Sequence, residues 1–567
     1  MSDTLSLSVA ADGAHVVLRC PFTMDVVNSM RLFPSRRWSN REGGWVLPLT
    51  KELIDRIPTL FPLHTVVLMD SLKQFLCKTE SIDRAVAVGK ECTSSSGFLY
   101  GTVPYPHQEK AVALCFSNDA FALFMEMGTG KTKVILDVCV NLQAQLQRPL
   151  RALVVAPLSV MGEWERNRLK HTPSLTLIQL MGSTGLKRKW FEVHKEPATL
   201  PTLLVMNYEA MWRLESELVK IPFDMIVLDE ATKIKGRSTL QAKAIMRLGK
   251  VIPRRYILTG TPVANGPLDA FNLMKFIDPT VFGPSFQAFR DRYAIVHTYK
   301  GFPEIVGWRN MDEFSIKLAS RSFRITKEQC WKDLPEKIFK RRACLLPNEQ
   351  QKTYDSLVKT FCATVDGKEL TVDMVLALLT KLRQITGGFI YKTDSKSTYR
   401  FPDNPKLEAL VTLCGQFIAE NKKIVVWFNF TEEGNLVQKA LRQFKTHLFY
   451  GGTTPQDRAS ILDSFNSTAE PSIFIGQTRA GGFGIELTAA HDCIYYSNDY
   501  ALDIRLQTED RLHRHGQKNA VTYVDLFVPG TIDESILTLL EYKIKLSEGL
   551  LLQSYRDIIM GRPKLTS

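Results

Sequence analysis

The sequence predicts two α/β lobes, each built on a parallel sheet, with a helical insertion between them and a small N-terminal α+β domain in front. Three observations predict it. From about residue 121, short apolar runs rich in Val, Ile and Leu recur, each ending in a polar or Gly-rich turn; strands buried on both faces have this pattern. Longer amphipathic stretches such as Thr132 to Leu146 separate the runs, giving the strand–helix alternation of a doubly wound sheet. The alternation stops near residue 265 and resumes after residue 406.

Taken in order, residues 1–90 show strand-like alternation between Leu5 and Leu18, then a basic and aromatic cluster of Phe33, Arg36, Arg37, Trp38, Arg41 and Trp45. They form a separate domain. Residues 96–330 make the first lobe, whose strands are expected at 121–125, 152–156, 203–206, 225–228 and 256–258. Helical periodicity dominates 265–390, with a strongly polar stretch from Lys332 to Arg342. Residues 331–400 therefore read as helical insertion and linker, and the Ser-, Thr- and Pro-containing stretch Tyr391 to Lys406 as an exposed loop. Residues 401–567 make the second lobe, with strands at 424–428, 473–475, 493–496 and 521–528. A C-terminal helical brace runs from Ile532 to Ile559. No solenoid-length repeat is present.

A chain of 567 residues has room for two to four domains with large cores. Lys and Arg outnumber Asp and Glu by 72 to 59, a net charge of +13, which points toward a polyanionic partner. The ten cysteines include no CxxC pair and no zinc pattern. They read as buried thiols of a reducing compartment. Met1 to Ala10 lacks a secretory pattern, and no run of about 18 apolar residues exists. The expectation is an intracellular, soluble protein without a membrane partner.

Gly128-Thr129-Gly130-Lys131-Thr132 follows the first strand of the first lobe. Glycines there let backbone N–H groups approach phosphate oxygens, and the following helix presents its N-terminus to the same anions. Lys131 is placed to reach the β- and γ-phosphates of ATP, and the Thr132 hydroxyl to hold Mg²⁺. Met127 completes the loop, and Met125 stands where such a loop usually begins with Gly. The 225–228 run ends in Asp229-Glu230, a carboxylate pair at the ligand-binding end of a strand. Asp229 suits ordering of Mg²⁺ through water, and Glu230 positioning of the attacking water. Thr259-Gly260-Thr261 ends the next strand. It fits either a sensor of the γ-phosphate or a tight strand-to-helix turn. Upstream, Gln108 carries the donor and acceptor needed to read an adenine edge.

Far downstream lies Gln507-Thr508-Glu509-Asp510-Arg511-Leu512-His513-Arg514-His515-Gly516-Gln517. Arg511 and Arg514 share a face if the segment is helical, and two guanidiniums on one face make an anion clamp. An arginine delivered to the γ-phosphate is worth ~10³–10⁵ in rate, roughly 4–7 kcal/mol of barrier.

These motifs, in this order, resemble the Swi/Snf-type ATPases of helicase superfamily two. The match covers 100–535. It includes Glu126 to Thr132, Val154 to Ser159 followed by Trp164, Asp229 to Lys235, Leu258 to Pro262, Lys381 to Gln384, Thr478 to Ile485, and the 507–517 block. The resemblance implies two RecA-like lobes that close on ATP and hold double-stranded DNA across both. It also implies coupling roles for Thr259, Gly260, Thr261, Gly482 and Gly484. Pro157, Leu158, Ser159, Thr478 and Arg479 would line the DNA path, with contacts mainly to phosphates. Thr232 stands where the family has His, which bears on DNA stimulation rather than on hydrolysis. Tyr500-Ala501-Leu502 replaces an aromatic followed by Asn-Pro.

The stretch from Cys20 to Leu49 resembles the HARP module of annealing helicases. That likeness implies recognition of forked or branched DNA, with Arg36, Arg37, Trp38 and Trp45 combining phosphate attraction and base stacking. A small structural β domain with core tryptophans fits the same residues. The leading expectation is a monomeric ATP-dependent DNA translocase that remodels or reanneals forks, with replication, repair or transcription proteins as candidate partners. The alternatives are a motor that displaces DNA-bound protein such as a stalled RNA polymerase, and a nucleotide-dependent DNA clamp without useful turnover.

Overall fold

A computed structural model of the chain describes residues 4–10, 15–20, 23–31, 36–40, 42–48, 54, 57–58, 61, 65–70, 72–73, 97–194, 202–299, 302–331, 333–365, 372–392, 397–481 and 485–559. Two compact units make it up. The first comprises Met1–Met125, Gly130–Ile325 and Gly549–Ser567; the second comprises Glu126–Thr129 and Thr326–Glu548.

The N-terminal domain is a five-stranded sheet of β1 (Thr4–Val9), β2 (His15–Arg19), β3 (Arg37–Ser39), β4 (Gly44–Pro48) and β5 (Thr65–Leu68), in the order β3-β4-β2-β1-β5. Among the described residues its pairings are antiparallel except β1 with β5. Leu5 and Leu7 of β1 and Val16 and Leu18 of β2 turn to one core with Val26 and Met30 of the helix Met24–Arg31, as the alternation requires. The domain is α+β. Phe33 and Arg41 of the basic cluster lie outside the described residues.

The first lobe holds a seven-stranded sheet. Its strands are β6 (Ala120–Met125), β7 (Ala152–Ala156), β8 (Leu177–Gln179), β9 (Leu203–Asn207), β10 (Met225–Asp229), β11 (Arg254–Leu258) and, after a β12–β13 hairpin (Ala294–Tyr299, Phe302–Trp308), β14 (Ser322–Ile325). The order is β14-β6-β11-β10-β7-β9-β8, and every pairing is parallel. The central strands are apolar throughout because helices cover both faces. On one face Val134, Ile135, Val138 and Cys139 of the helix Lys131–Leu146 pack on Leu123, Val154 and Val227.

The second lobe repeats the plan with β15 (Lys337–Ala343), β18 (Ile424–Phe428), β19 (Thr446–Phe449), β20 (Ile473–Gln477), β21 (Asp492–Tyr495) and β22 (Val521–Phe527), ordered β15-β22-β21-β18-β20-β19. This sheet too is parallel throughout. Between β15 and β18 lie the helices Asn348–Val365 and Val372–Thr386 and a hairpin of β16 (Phe389–Tyr391) with β17 (Thr398–Arg400). The C-terminal helix runs Ile532–Ile559.

The region 265–390 is less helical than its periodicity suggests. The β12–β13 hairpin interrupts it, β14 joins the first sheet, and β15 pairs with β22 over seven residues. Residues 337–342 of the polar stretch therefore belong to an edge strand. Its Lys340, Arg341 and Arg342 face solvent, a charged edge that discourages further pairing. The expected loop 391–406 contains β17 and the start of the helix Pro405–Ala419, whose N-cap Asn404 accepts from the Leu407 N–H.

Candidate active site

Strand register fixes where the motifs of the first lobe emerge. Leu123 of β6 stands opposite Leu258 of β11, which stands opposite Asp229 of β10, and Leu228 stands opposite Val155 of β7. In a parallel sheet, loops that follow level residues leave from one edge. The turns after Met125, Ala156, Asp229 and Leu258 thus share the C-terminal edge, where open α/β sheets bind ligands.

The loop after β6 has Gly128 at φ 78° and Gly130 at φ 90°, a left-handed backbone natural to glycine. A Cβ on Gly130 would stand 2.2 Å from Gln108 Nε2, so Gln108 is seated against the loop. Lys131 is buried, and its Nζ donates to the Met125 carbonyl at 2.9 Å. Thr129 Oγ1 donates to the Glu126 carbonyl at 2.7 Å. Thr132 is half-buried in the first turn of the helix. Loop and helix start form a cradle of backbone donors for a phosphate chain.

Asp229 is buried and held on all sides. Trp164 Nε1 donates to its Oδ2 at 2.8 Å, the Glu230 N–H donates to its Oδ1 at 3.0 Å, and the Tyr208 hydroxyl donates to its main-chain carbonyl at 2.8 Å. Burial pushes its carboxyl above the ordinary range, while Trp164, the charge of Lys131 and the Glu230 N–H pull it back toward ionisation. A rigid carboxylate with the Thr132 hydroxyl on the same edge is an oxygen donor set that fits Mg²⁺. Glu230 is buried and adopts a left-handed backbone, φ 47°. That conformation is costly for a residue with a side chain and recurs at functional sites.

Thr259 is buried, and its Oγ1 accepts from the Thr261 N–H at 3.2 Å. Lys235 Nζ bonds both the Thr261 carbonyl, at 3.2 Å, and Asp269, at 2.9 Å. The turn containing Gly260 is thereby tied to the segment after Asp229-Glu230. The Thr232 hydroxyl approaches the Glu230 carbonyl at 3.4 Å. Along the same edge Pro157 is buried, while Leu158 and Ser159 are exposed.

In the second lobe Phe428 stands opposite Gln477, and Trp427 opposite Tyr495, so Asn429, Thr478 and Tyr496 follow level strand ends. Thr478 is buried and its Oγ1 donates to Asn429 Oδ1 at 2.8 Å. Arg479 instead presents its side chain to solvent beside Asp499, at 3.0 Å. Arg383, of the Lys381 to Gln384 motif, lies over the rings of Phe430 and Tyr500, 5.1 and 5.5 Å from the centroids, and donates to the Asn498 carbonyl. Tyr500, just before the Ala501-Leu502 pair where the family pattern is broken, is thus a stacking partner of Arg383. Gly482 and Gly484 lie outside the described residues.

The arginine segment is not one helix. The helix Leu502–Glu509 ends before Arg511, and the remainder is a series of turns closed by Leu512 N–H to Glu509 and Gln517 N–H to Arg514. At the end of that helix Asp510 pairs with Lys327 and Glu509 with Lys337. The two arginines are in consequence unequal. Arg511 is buried and donates to the carbonyls of Gln507 and Ile485, each at 3.0 Å, with Nη2 3.7 Å from Met127 Sδ. Arg514 is half-buried, and its guanidinium makes no hydrogen bond or ion pair among the described residues. Gln507 is buried.

On the N-terminal domain Trp38 is 45% exposed and stands edge-to-face on half-buried Trp45 at 5.4 Å, its Nε1 donating to Asn40. Arg37 is exposed and Arg36 half-buried. Trp38 is therefore no core tryptophan.

A family described as the SNF2-related domain matches residues 88–387. The chain belongs to the SNF2-related family. The helicase conserved C-terminal domain matches residues 405–516 of this SNF2-related chain, a span that contains Thr478, Arg479, Gln507, Arg511 and Arg514. An uncharacterized ATP-dependent helicase of Mycoplasma genitalium is 26% identical over 433 residues, 76% of this chain and 40% of that protein. A SWI/SNF chromatin-remodeling complex subunit of Schizosaccharomyces pombe is 27% identical over 451 residues, 76% of this chain and 26% of the subunit. The chain thus spans less than half the length of these relatives. Among solved structures, the SWI2/SNF2 ATPase core of Sulfolobus solfataricus in complex with double-stranded DNA shares 23% identity, covers 83% of this chain and 99% of that chain, and has a TM-score of 0.39. The two parallel sheet orders, rather than that score, define the fold.

Sequence reasoning had no role for Tyr208, Lys235 or Asp269, and it quoted Trp164 only within a resemblance. Lys235 and Asp269 are a charge pair 34 residues apart, and Trp164 meets Asp229 across 65. Neither contact has a local pattern.

Proposed function

We propose that the chain is an ATP-dependent motor that translocates on double-stranded DNA and remodels or reanneals forked and branched DNA. The observation that carries this reading is the clustered edge of the first sheet. There the glycine loop, Lys131, the pinned Asp229 and the strained Glu230 all emerge from level strand ends. The loop N–H groups and Lys131 bind the phosphates, and Gln108 reads the base. Thr132 and Asp229 hold Mg²⁺, which when bound neutralises charge developing on the phosphates. Glu230 orients a water for attack on the γ-phosphate and accepts its proton. Arg514, uncommitted among its neighbours, stabilises the charge of the transition state, with Arg511 beside it in the chain.

On the DNA side, Arg479, Ser159 and Leu158 are the exposed members of the expected path, and backbone-directed contacts make binding nearly independent of sequence. The N-terminal domain supplies the preference for junctions. Exposed Trp38, braced by Trp45 and flanked by Arg36 and Arg37, is a stacking platform with adjacent positive charge.

The test is ATP turnover with no nucleic acid and with single-stranded, duplex, forked and RNA ligands. Stimulation by duplex, and more strongly by forks, is expected. Absence of stimulation by either removes the proposal, and equal stimulation by linear duplex and forks transfers it to displacement of DNA-bound protein. Replacing Arg36 and Arg37 together should reduce fork-stimulated turnover more than basal turnover; equal losses would remove the junction role.

A further inference from the structure

The arginine segment is gripped by a part of the chain to which no role has been given. The short helix Lys327–Cys330 and the strand of Lys337 lie about 180 residues before it in sequence, yet they supply much of its support. Lys327 Nζ pairs with the Asp510 carboxylate at 2.5 Å and donates to the His513 carbonyl at 2.7 Å. Lys337 pairs with Glu509 at 3.1 Å. A ring nitrogen of His513 lies 2.7 Å from the Pro335 carbonyl, and Trp331 packs on His515 with centroids 4.6 Å apart. Lys327 is buried, and its own N–H donates to the Glu126 carboxylate at 2.8 Å. Burial alone would push the Asp510 carboxyl up; Lys327 and Lys337 hold it below its usual range instead.

The two anchor points of Lys327 are Asp510 and His513. Arg511 follows the first and Arg514 follows the second. A single buried ammonium thus holds the side chain of the residue before Arg511 and the main-chain carbonyl of the residue before Arg514, in a segment whose helix has already ended. Arg514 has no side-chain partner of its own among the described residues, so its direction is set by this backbone.

We propose that Lys327 is a positioning residue for ATP hydrolysis, which acts through Arg511 and Arg514 by holding Asp510 and His513 in place. The proposal rests on the reading of those arginines as groups directed at ATP. A misplacement on the order of 1 Å costs as much as about 10²-fold in rate, so the effect belongs in kcat rather than in ATP binding.

The experiment compares Lys327→Met, Lys327→Arg, Asp510→Asn, Arg514→Ala and the Lys327→Met/Arg514→Ala double variant in the full chain, by kcat, KM for ATP and Tm. Lys327→Met is expected to lower kcat about 10- to 100-fold with KM changed less than about threefold. Lys327→Arg recovers part of that loss. In the Arg514→Ala background, Lys327→Met adds less than about threefold, because the group it positions is gone. Asp510→Asn, which changes shape least, repeats the kcat loss if Lys327→Met fails to fold. Normal kcat in a folded Lys327→Met or Asp510→Asn, or losses that multiply in the double variant, overturns the proposal. An Arg514→Ala variant with normal kcat overturns the parent reading instead, and the two failures are told apart by that arm.

Discussion

The motifs of the first lobe leave the C-terminal edge of their sheet, whereas Arg511 and Arg514 precede β22 at the N-terminal edge of theirs, and the two groups are held by different means. In the first, Asp229 is clamped by Trp164 and by its own neighbour's N–H, Lys131 is tied back to Met125, and Lys235 fastens the Thr261 turn. These contacts come from the strand ends and loops of one lobe and from Trp164 on the helix Met161–His171 that follows β7. In the second, Arg514 has no such partner among the described residues, and the segment that carries it is held from outside its own helix by Lys327 and Lys337. The difference separates two tasks. A metal and phosphate site gains from donors fixed before the ligand arrives, whereas a group that acts only in the transition state needs a held backbone and a free guanidinium.

That contrast can be broken at several points. The largest expected effect is in the first lobe: Lys131→Ala reduces ATP turnover to the background of the assay, and measurable residual turnover would contradict its placement. Next, Arg514→Ala lowers kcat about 10³-fold with ATP affinity nearly kept and Tm unchanged. Arg511→Ala differs in kind, because it strips donors from two carbonyls. It costs about 1–3 kcal/mol of stability, seen as a lower Tm, in addition to its loss of rate. Equal Tm values for the two variants would erase the distinction between them. Glu230→Gln lowers kcat by on the order of 10²-fold while ATP and duplex binding persist; parent and variant turning over equally slowly would favour a nucleotide-dependent clamp.

Trp164→Phe is the smallest and sharpens the first-lobe side. The indole N–H favours ionised Asp229, so its removal raises that carboxyl further and moves the acidic limb of the kcat–pH profile to higher pH. The folded carboxyl already titrates above its unfolded value, so ionising it opposes folding. The added loss of stability in Trp164→Phe is therefore present at neutral pH and vanishes in acid, below the unfolded value. An unmoved acidic limb would remove Trp164 from the site.

The central strands were legible in the sequence almost to the residue, because a strand buried on both faces must be apolar throughout and must end in polar turns. Ala152–Ala156 and Ile424–Phe428 are the clearest cases. The edges were not. β14 and β15 carry arginines and lysines, β8 has three residues and β19 four, and a strand wetted on one side gives no continuous apolar run. The motif residues were legible because their spacing is local. Their supports were not, since Trp164 to Asp229 and Lys327 to Asp510 are contacts made by topology rather than by period. The bend after Glu509 also escaped, because an RxxR spacing looks the same whether the helix continues through it or ends before it.

Duplex-stimulated ATP turnover of Arg514→Ala against the parent chain tests the division of labour most directly. The account predicts clear stimulation of the parent and about 10³-fold slower turnover in the variant, with ATP dissociation constants within about threefold of each other. A variant that hydrolyses ATP within about twofold of the parent would contradict it.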